Sequence, residues 1–318
     1  MKAFDLRELD SSNIDTYVDL LSRRGRASRQ FYEWKFTRSP HGSDNFGYLA
    51  FSDEGCIGGI GFIRMPLMIE QSEISSTWFA DWYVASEAQG LGIGLALIEN
   101  VRSISGGTGF GSPAPVKARK LSSEVGYSNE RLYRMLKIGI ERPGLLCFKK
   151  IFNTIWHRLL FRSERGGQLR KRKPNVKVWT DAAAKALSGV NHFVRDGGRI
   201  NWMLEMPLDK DGWWWTFESA EGIAFGNTQK MGSRIVANVL DIFTTGGKFR
   251  SLIGSLVSSL QPEDVDELRV MFPDEVSSNL MPSGWKRELK LLSTGTRFPE
   301  YLSLLDIESS WVALEPPR

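Results

Sequence analysis

The chain has 318 residues, of which 42% are hydrophobic and 25% are charged, and its formal net charge is +4. These values are typical of a globular protein and exclude a disordered or fibrous chain, and a chain of this length is expected to form two domains. The small positive charge suits a polyanionic small ligand but is too weak to indicate a nucleic-acid partner.

The two cysteines, Cys56 and Cys147, form neither a disulfide framework nor a metal-ligand spacing. We therefore expect no bound metal and a reducing, cytoplasmic location. The first residues include an acidic side chain and lack the apolar run of a signal peptide. No segment approaches the roughly 20 apolar residues that a membrane-spanning helix needs.

Hydrophobic periodicity predicts a mixed α/β first half. It predicts helices and strands in the following chain order: a helix over residues 10–21, strands over 46–51, 57–68 and 77–84, a helix over 95–104, a short strand over 106–111, a helix over 116–125, and strands over 131–140 and 145–149. Tight turns join the middle strands, so the sheet is expected to be mixed and mostly antiparallel, with helices flanking it.

Short aromatic-rich segments recur in the same order and at a similar separation in the two halves. The matched segments are, in pairs, 31–36 with 200–204, 46–51 with 211–217, and 80–83 with 240–243. A repeat this long indicates two domains of one fold rather than a solenoid.

A basic stretch separates the two copies. Residues 158–173 are rich in Arg and Lys and Pro174 follows them, so we divide the chain into a domain over 1–150, a basic linker or helix over 151–174, and a domain over 175–318. An apolar stripe at helical spacing begins at residue 151. A helix packed between the domains is favoured over peripheral contact of 151–173 with an anionic membrane surface.

A glycine-rich loop lies between the strand that ends at Val84 and the helix that follows. Gly90, Gly92 and Gly94 alternate along it, and glycines remove the Cβ atoms that would keep a ligand from the backbone. Amides that converge at a helix N-terminus bind phosphate groups. The loop has neither the Lys-Ser/Thr pair of a nucleoside-triphosphate site nor dinucleotide-site spacing.

This segment resembles the GNAT superfamily of N-acyltransferases, whose signature is a strand ending in Val followed by Arg/Gln-x-x-Gly-x-Gly/Ala at a helix start. Gln89, Gly92 and Gly94 occupy the signature positions, and Gly126 lies in a match to the family's downstream Leu-Gly-Phe pattern. The resemblance covers about residues 2–149, is most specific over 84–95, and implies two GNAT-like domains. The second is a degenerate copy that lacks the CoA loop.

The resemblance implies an acyl-CoA cosubstrate, acetyl-CoA or another acyl-CoA. The residues expected to bind it are Tyr83, Val84, Gln89, Gly90, Leu91, Gly92, Ile93, Gly94 and Leu95. The backbone N–H of Val84 would polarise the thioester carbonyl. A small primary amine is the implied acceptor, and an amino sugar is preferred by analogy with tandem relatives encoded among surface-polysaccharide genes.

The sequence does not single out the groups that would transfer protons. Asp81 precedes the loop and could accept the amine proton or bind the amine, but Asp241 in the second copy favours a structural role, and the two readings stay open. The family's tyrosine acid is replaced by Ser122, a poorer acid. Tyr127, Tyr133, a water or no protein group could take its place.

Three functions are compatible with these residues. The first is a CoA-dependent N-acyltransferase, most simply an acetyltransferase. The second is a Fem-type aminoacyl transferase, which the basic linker suits and the CoA loop disfavours. The third is a protein that binds acyl-CoA without consuming it. Aromatic residues 31–34 either wall an acceptor pocket or anchor the core, and the repetition of Trp34 as Trp202 favours the core.

Overall fold

A computed structural model describes residues 4–22, 28–42, 44–105, 108–111, 116–140, 166–244, 248–272, 286–294 and 298–302. The described helices are α1 (Ile14–Ser22), α2 (Arg29–Thr37), α3 (Ile93–Ile104), α4 (Val116–Glu124), α5 (Val176–Ala186), α6 (Gly197–Leu204) and α7 (Phe249–Leu260). The strands are β1 (Asp5–Leu9), β2 (Gly47–Ser52), β3 (Gly55–Arg64), β4 (Leu67–Ile69), β5 (Ser72–Ile74), β6 (Ser76–Val84), β7 (Thr108–Gly111), β8 (Asn129–Gly139), β9 (Gln168–Arg170), β10 (His192–Phe193), β11 (Trp214–Ser219), β12 (Gly222–Met231), β13 (Arg234–Thr244), β14 (Glu267–Phe272) and β15 (Lys286–Ser293).

Within the described residues, twelve strands form one mixed sheet in the order β1-β2-β3-β6-β7-β15-β8-β14-β13-β12-β11-β9. Neighbouring strands in this sheet run antiparallel, except that β6 is parallel to β7 and β13 is parallel to β14. Helices flank this sheet, so the predicted mixed, mostly antiparallel α/β fold is confirmed. Among the described residues no helix is both long and apolar enough to cross a membrane.

The two halves repeat one order of elements. In each half a short strand and two helices precede an antiparallel three-strand meander, a helix, a parallel strand and a long last strand. Side chains satisfy free amides at the starts of α2, α5 and α6, which are capped by Ser28, Asn175 and Asp196. The two halves, which the sequence divided by its aromatic segments, therefore have a similar order of elements.

The long last strands are exchanged between the halves. Strand β8 of the first half pairs with β14 of the second, and β15 of the second half pairs with β7 of the first. Strands β8 and β15 also pair with each other, from Asn129 opposite Ser293 to Leu136 opposite Lys286. The halves therefore share one sheet, whereas the sequence predicted one sheet per domain.

A second, three-stranded sheet of β10, β4 and β5 also joins the halves, because Phe193 pairs with Leu67. The sequence predicted one strand over 57–68, which is wrong in its length. Pro66 has no N–H to donate to a ladder, so β3 ends at Arg64 and β4 turns into the smaller sheet.

The sequence did not predict two edge strands. Strand β1 pairs with β2, and β9 pairs with β11 at the other end of the sheet. Strand β9 lies inside the range predicted as a linker, because the basic residues around it are typical of a solvated stretch. Residues 141–165, with the predicted strand over 145–149 and the amphipathic helix from 151, lie outside the described residues.

The sheet separates the core of the first half into two layers. One layer packs under α1 and α2 and includes Tyr17, Phe36 and Trp78. The other packs under α3 and includes Phe79 and Ile93. We call these sides the α2 face and the α3 face of the sheet.

Candidate functional site

The glycine-rich loop connects the end of β6 to the start of α3. A short 3₁₀ turn over Ser86–Ala88 follows the strand, and Gly90 and Gly92 then have φ of +87° and +81°. Glycine is the residue that adopts this left-handed region at least cost. A Cβ at either glycine would meet nothing within 4 Å, so these positions need glycine for backbone conformation and the space beside them is open.

The first amides of α3 follow this loop directly. The first helical hydrogen bond runs from the N–H of Ala96 to the carbonyl of Gly92 at 3.1 Å, so the amides of residues 93–95 lie ahead of the helical ladder. No side chain of the described residues caps the helix, and Leu91 is 42% exposed. The arrangement is an uncapped helix N-terminus behind an open glycine loop, which is suited to an anion.

The described pairing of β6 with β7 covers only the first part of β6. Their parallel pairing runs from Ser76 opposite Thr108 to Phe79 opposite Gly111, whereas β6 continues to Val84 and remains paired with β3 on its other edge. Within the described residues, the last part of β6 therefore has an open edge on the β7 side.

The N–H of Val84 faces this open edge. The N–H of Ala85 donates to the carbonyl of Ile57 on the β3 side at 2.8 Å, and consecutive amides of a strand point to opposite edges. The carboxamide of Gln89 reaches the carbonyl of Val84 at 3.4 Å from that same open side. Gln89 thus braces the loop against the strand end.

A β-bulge places Asp81 on the α2 face. The pairing of β6 with β3 slips between Gly59 opposite Tyr83 and Gly61 opposite Ala80, and Asp81 has a φ of +51°. Without the bulge, alternation would put Asp81 on the α3 face. A bulge that re-aims one polar side chain at a strand end is common beside functional sites.

Asp81 forms a buried ion pair with Lys35 of α2. The Lys35 side chain has no exposed surface and that of Asp81 is 7% exposed. Burial lowers the pKa of Lys35 from its usual value, and the charge of Asp81 opposes this shift. The hydroxyl of Tyr17 donates to the backbone carbonyl of Asp81 at 2.8 Å, and burial, then the charge of Asp81, raises the pKa of Tyr17 well above its usual value.

The sequence prediction missed Lys35 and Tyr17. A lysine inside the aromatic segment 31–36 was a usable signal, since a charged residue between aromatic residues of a core helix needs a partner. Its partner could not be identified, because the bulge that turns Asp81 toward α2 has no sequence signature.

The structure favours none of the candidate general acids. The hydroxyl of Ser122 is buried and donates to the carbonyl of Ala118, one turn back in α4. The hydroxyl of Tyr133 donates to the carbonyl of Pro299 at 2.5 Å. Burial raises the pKa of Tyr127, which makes it a weaker acid.

Asp241 of the second half differs from Asp81. Its carboxylate is fully buried and receives hydrogen bonds from Arg195 at 3.0 Å, Tyr301 at 2.6 Å and Trp179 at 3.3 Å. Asp241 pairs with Phe225 in the ladder, and the bulge in β13 falls before it. The two aspartates match in sequence but not in backbone conformation, and both oxygens of Asp241 are bound.

The second half has its own acidic group near the helix that corresponds to α3. Glu221 accepts a hydrogen bond from the hydroxyl of Ser251, in the first turn of α7, at 3.3 Å. Hydrogen bonding from Ser219 holds the pKa of Glu221 below its usual value, with smaller contributions from Ser251 and the charge of Lys248. An anion of the protein is therefore already held here. Residues 245–247, where the sequence lacks the CoA motif, lie outside the described residues.

Metal ligation has no obvious place in the described part of the chain, where no group of three or more His, Cys, Asp or Glu side chains is arranged to hold an ion.

No protein-family model and no curated protein sequence matches the chain. Solved structures do. A GCN5-related N-acetyltransferase from Anabaena variabilis superposes with a TM-score of 0.62 at 12% identity, over 91% of this chain and 72% of that one. A probable N-acyltransferase from Enterococcus faecalis gives 0.62 at 10% identity, over 92% and 72%. Saccharomyces cerevisiae N-myristoyltransferase with bound myristoyl-CoA gives 0.58 at 12% identity, over 96% and 84%.

The chain has the GCN5-related N-acetyltransferase (GNAT) fold. The likeness covers more than nine-tenths of the chain in each case, so it includes both halves. The GNAT fold predicted from residues 84–95 is confirmed, and the glycine loop lies between a strand and a helix of that fold, as predicted.

Proposed function

We propose that this GNAT-fold chain is an acyl-CoA-dependent N-acyltransferase that transfers a short acyl group, most simply acetyl, to a primary amine. The observation that carries the proposal is the open glycine loop that leaves the first amides of α3 free at the end of β6. An anionic pyrophosphate is the part of CoA that such a helix end binds.

The open edge of β6 supports the rest of the cosubstrate assignment. In this proposal the amides of residues 91–95 bind the pyrophosphate, with Gln89, Gly90 and Gly92 shaping the loop. The main chain of Tyr83 and Val84 pairs with the amide-containing arm of CoA, as a strand would. The N–H of Val84 donates to the thioester carbonyl, which gains negative charge as the amine attacks.

The reaction depends more on the positioning of the two reactants than on proton transfer by side chains. The neutral amine nitrogen forms a bond to the thioester carbon, the carbon–sulfur bond breaks, and CoA leaves as a thiolate. One proton passes from nitrogen to sulfur, directly or through water, so the products are an amide and free CoA thiol. A thiolate is a tolerable leaving group, which fits a site where Ser122 replaces the family's tyrosine.

A small amine, such as an amino sugar, is the proposed acceptor. Asp81 is the proposed amine-binding group, because it lies three residues before Val84 with one carboxylate oxygen unbound among the described residues. The second half, where Glu221 and Asp241 are held by the protein's own groups, is proposed to bind no CoA and to complete the fold.

Two measurements test the proposed function. Acetyl-CoA should raise the melting temperature, and a panel of primary amines should include at least one that releases free CoA thiol from acetyl-CoA. No stabilisation by acetyl-CoA, CoA or longer acyl-CoAs would overturn it.

The second candidate is a protein that binds acyl-CoA without turnover. The buried, helix-bonded hydroxyl of Ser122 favours it, because this position then supplies no acid. Acyl-CoA binding without thiol release across the amine panel would support it. Tight tRNA binding with steep salt dependence, in the absence of CoA binding, would instead indicate an aminoacyl transferase.

A further inference from the structure

We propose that Lys35 is a positioning residue that neutralises the charge of Asp81, so that the acceptor amine is held beside Val84 as the uncharged nucleophile. This inference rests on the proposed N-acyltransferase function. It concerns how the amine is kept reactive and does not depend on which amine the enzyme uses.

As the first support, Asp81 has one carboxylate oxygen that is available to the acceptor amine. Its Oδ2 atom contacts the Lys35 ammonium, and within the described part of the chain Oδ1 has no hydrogen-bond partner. Asp241, the sequence equivalent, has both oxygens bound and its side chain is fully buried. Asp81 thus has the one spare acceptor atom that a ligand N–H needs, and the purely structural aspartate does not.

The electrostatics of the pair are the second support. A lone buried carboxylate would stabilise a bound ammonium and raise the pKa of the amine, which would keep it protonated and unreactive. Lys35 cancels that charge and leaves an oxygen that can accept an N–H hydrogen bond without favouring the cation. The ion pair therefore orients the amine without protecting its proton.

Two described groups contact Asp81 directly, namely the Tyr17 hydroxyl of α1 and the Lys35 ammonium of α2. Tyr32 of α2 and Cys56 of β3 lie close enough to interact electrostatically with Tyr17. The two hydroxyls and the thiol are uncharged while they carry their protons. Lys35 is thus the group whose charge faces Asp81.

The positions of the two ends of the site are the third support. The bulge at Asp81 lies three residues before Val84, whose N–H faces the open edge of β6. A strand advances about 3.3 Å per residue. The backbone positions of Asp81 and Val84 are therefore at most about 10 Å apart, and the aspartate side chain with one hydrogen bond to the amine can span much of that distance.

Two variants separate neutralisation from general-base catalysis. Lys35→Met removes the cation and leaves a side chain of similar length. The double variant Lys35→Met with Asp81→Asn also replaces the carboxylate by a neutral amide that keeps an accepting oxygen. Because the double variant contains no unpaired buried charge, it is expected to fold even where the single variant is less stable. The exposed Lys177→Met is the matched control.

The readout is the pH dependence of kcat, with saturating acetyl-CoA and the best acceptor among glucosamine, spermidine and glycinamide. For Lys35→Met we expect the acid limb to move up by about one pH unit or more, because the uncompensated carboxylate favours the bound ammonium. For the double variant we expect the limb to return to its wild-type position with kcat within about tenfold. Affinity for CoA should stay unchanged in both, since Lys35 lies on the face opposite α3.

The results that would contradict this inference differ from those that would contradict the proposed function. An acid limb that does not move in folded, CoA-binding Lys35→Met overturns the inference. A double variant that has lost about a hundredfold or more in kcat also overturns it, because Asp81 would then be the proton acceptor itself. Absence of activity in the wild type with all three amines, together with absence of CoA binding, would overturn the proposed function instead.

Discussion

The indole N–H of Trp34 donates to the carbonyl oxygen of Trp202 at 2.7 Å, and the indole N–H of Trp202 donates to the carbonyl of Trp34 at 3.1 Å. The two rings are stacked, with centroids 4.7 Å apart. Each tryptophan lies in the second helix of its half, so equivalent residues of the repeat bind each other. Trp34 is therefore a core anchor between the halves and not a wall of an acceptor pocket.

This reciprocal pair predicts a measurable coupling. Trp34→Phe and Trp202→Phe each remove one indole donor to a backbone carbonyl of the facing helix, at a cost of about 0.5–1.5 kcal/mol in the free energy of unfolding. The double variant should cost less than the sum, because the two residues share one contact. Urea unfolding measures all three, with the partly exposed Trp213→Phe as control. Strict additivity would show that the two rings act independently.

Val84→Pro tests the proposed carbonyl donor. Proline removes the N–H that faces the open edge of β6 and spares the neighbouring bond from Ala85 to Ile57. We expect kcat to fall by about 10²–10³, the usual effect of losing one donor to a developing oxyanion. CoA affinity should fall much less, because the pyrophosphate contacts proposed for residues 91–95 remain.

Ala85→Pro is the matched comparison for that experiment, because it removes the ladder bond to Ile57 instead. It should lower stability more than Val84→Pro does. Wild-type kcat in a folded Val84→Pro protein would remove Val84 from the proposed mechanism.

Buried tyrosines predict a loss of stability in alkali. Burial raises the pKa of Tyr17 and of Tyr301 well above the ordinary value of 10.0. Above about pH 10 the folded state therefore holds protons that the unfolded state has released, so stability falls by about 1.4 kcal/mol per pH unit for each tyrosine. Below that pH the effect is absent.

Urea unfolding between about pH 9 and 11 checks this slope. Tyr301→Phe and Tyr17→Phe should each make the decline shallower by one proton, and Tyr17→Phe should also lose about 1 kcal/mol at every pH with its bond to Asp81. An unchanged slope in both variants would mean that neither hydroxyl stays protonated in the folded protein.

The sequence predicted the parts of the fold that depend on local order. Three alternating glycines after Val84 predicted the loop and helix, because the conformation they permit is local. Strand periodicity places neighbouring side chains on opposite faces, and the buried Trp214 and Trp215 pack into different core layers. The internal repeat was visible because aromatic anchors recur at matched positions.

Features that depend on distant partners were not predictable. The exchange of β8 and β15 joins residues far apart in the chain, and nothing in either strand specifies its partner. The bulge at Asp81 depends on pairing with β3, so the ion pair to Lys35 became visible only in the structure. The sequence matched Asp81 with Asp241, but only the structure shows that the two aspartates differ in backbone conformation and in their hydrogen-bond partners.

Calorimetric titration of acetyl-CoA into Gly92→Asp tests whether the loop before α3 binds the CoA pyrophosphate. The added carboxylate would lie against the pyrophosphate, and we expect affinity to fall by about a hundredfold or more. Gly232→Asp is the matched control, because Gly232 also has a positive φ, of +64°, with nothing within 4 Å of a Cβ. The account predicts wild-type affinity in Gly232→Asp, one CoA per chain, and loss in Gly92→Asp alone. Unchanged affinity in a folded Gly92→Asp protein would contradict it.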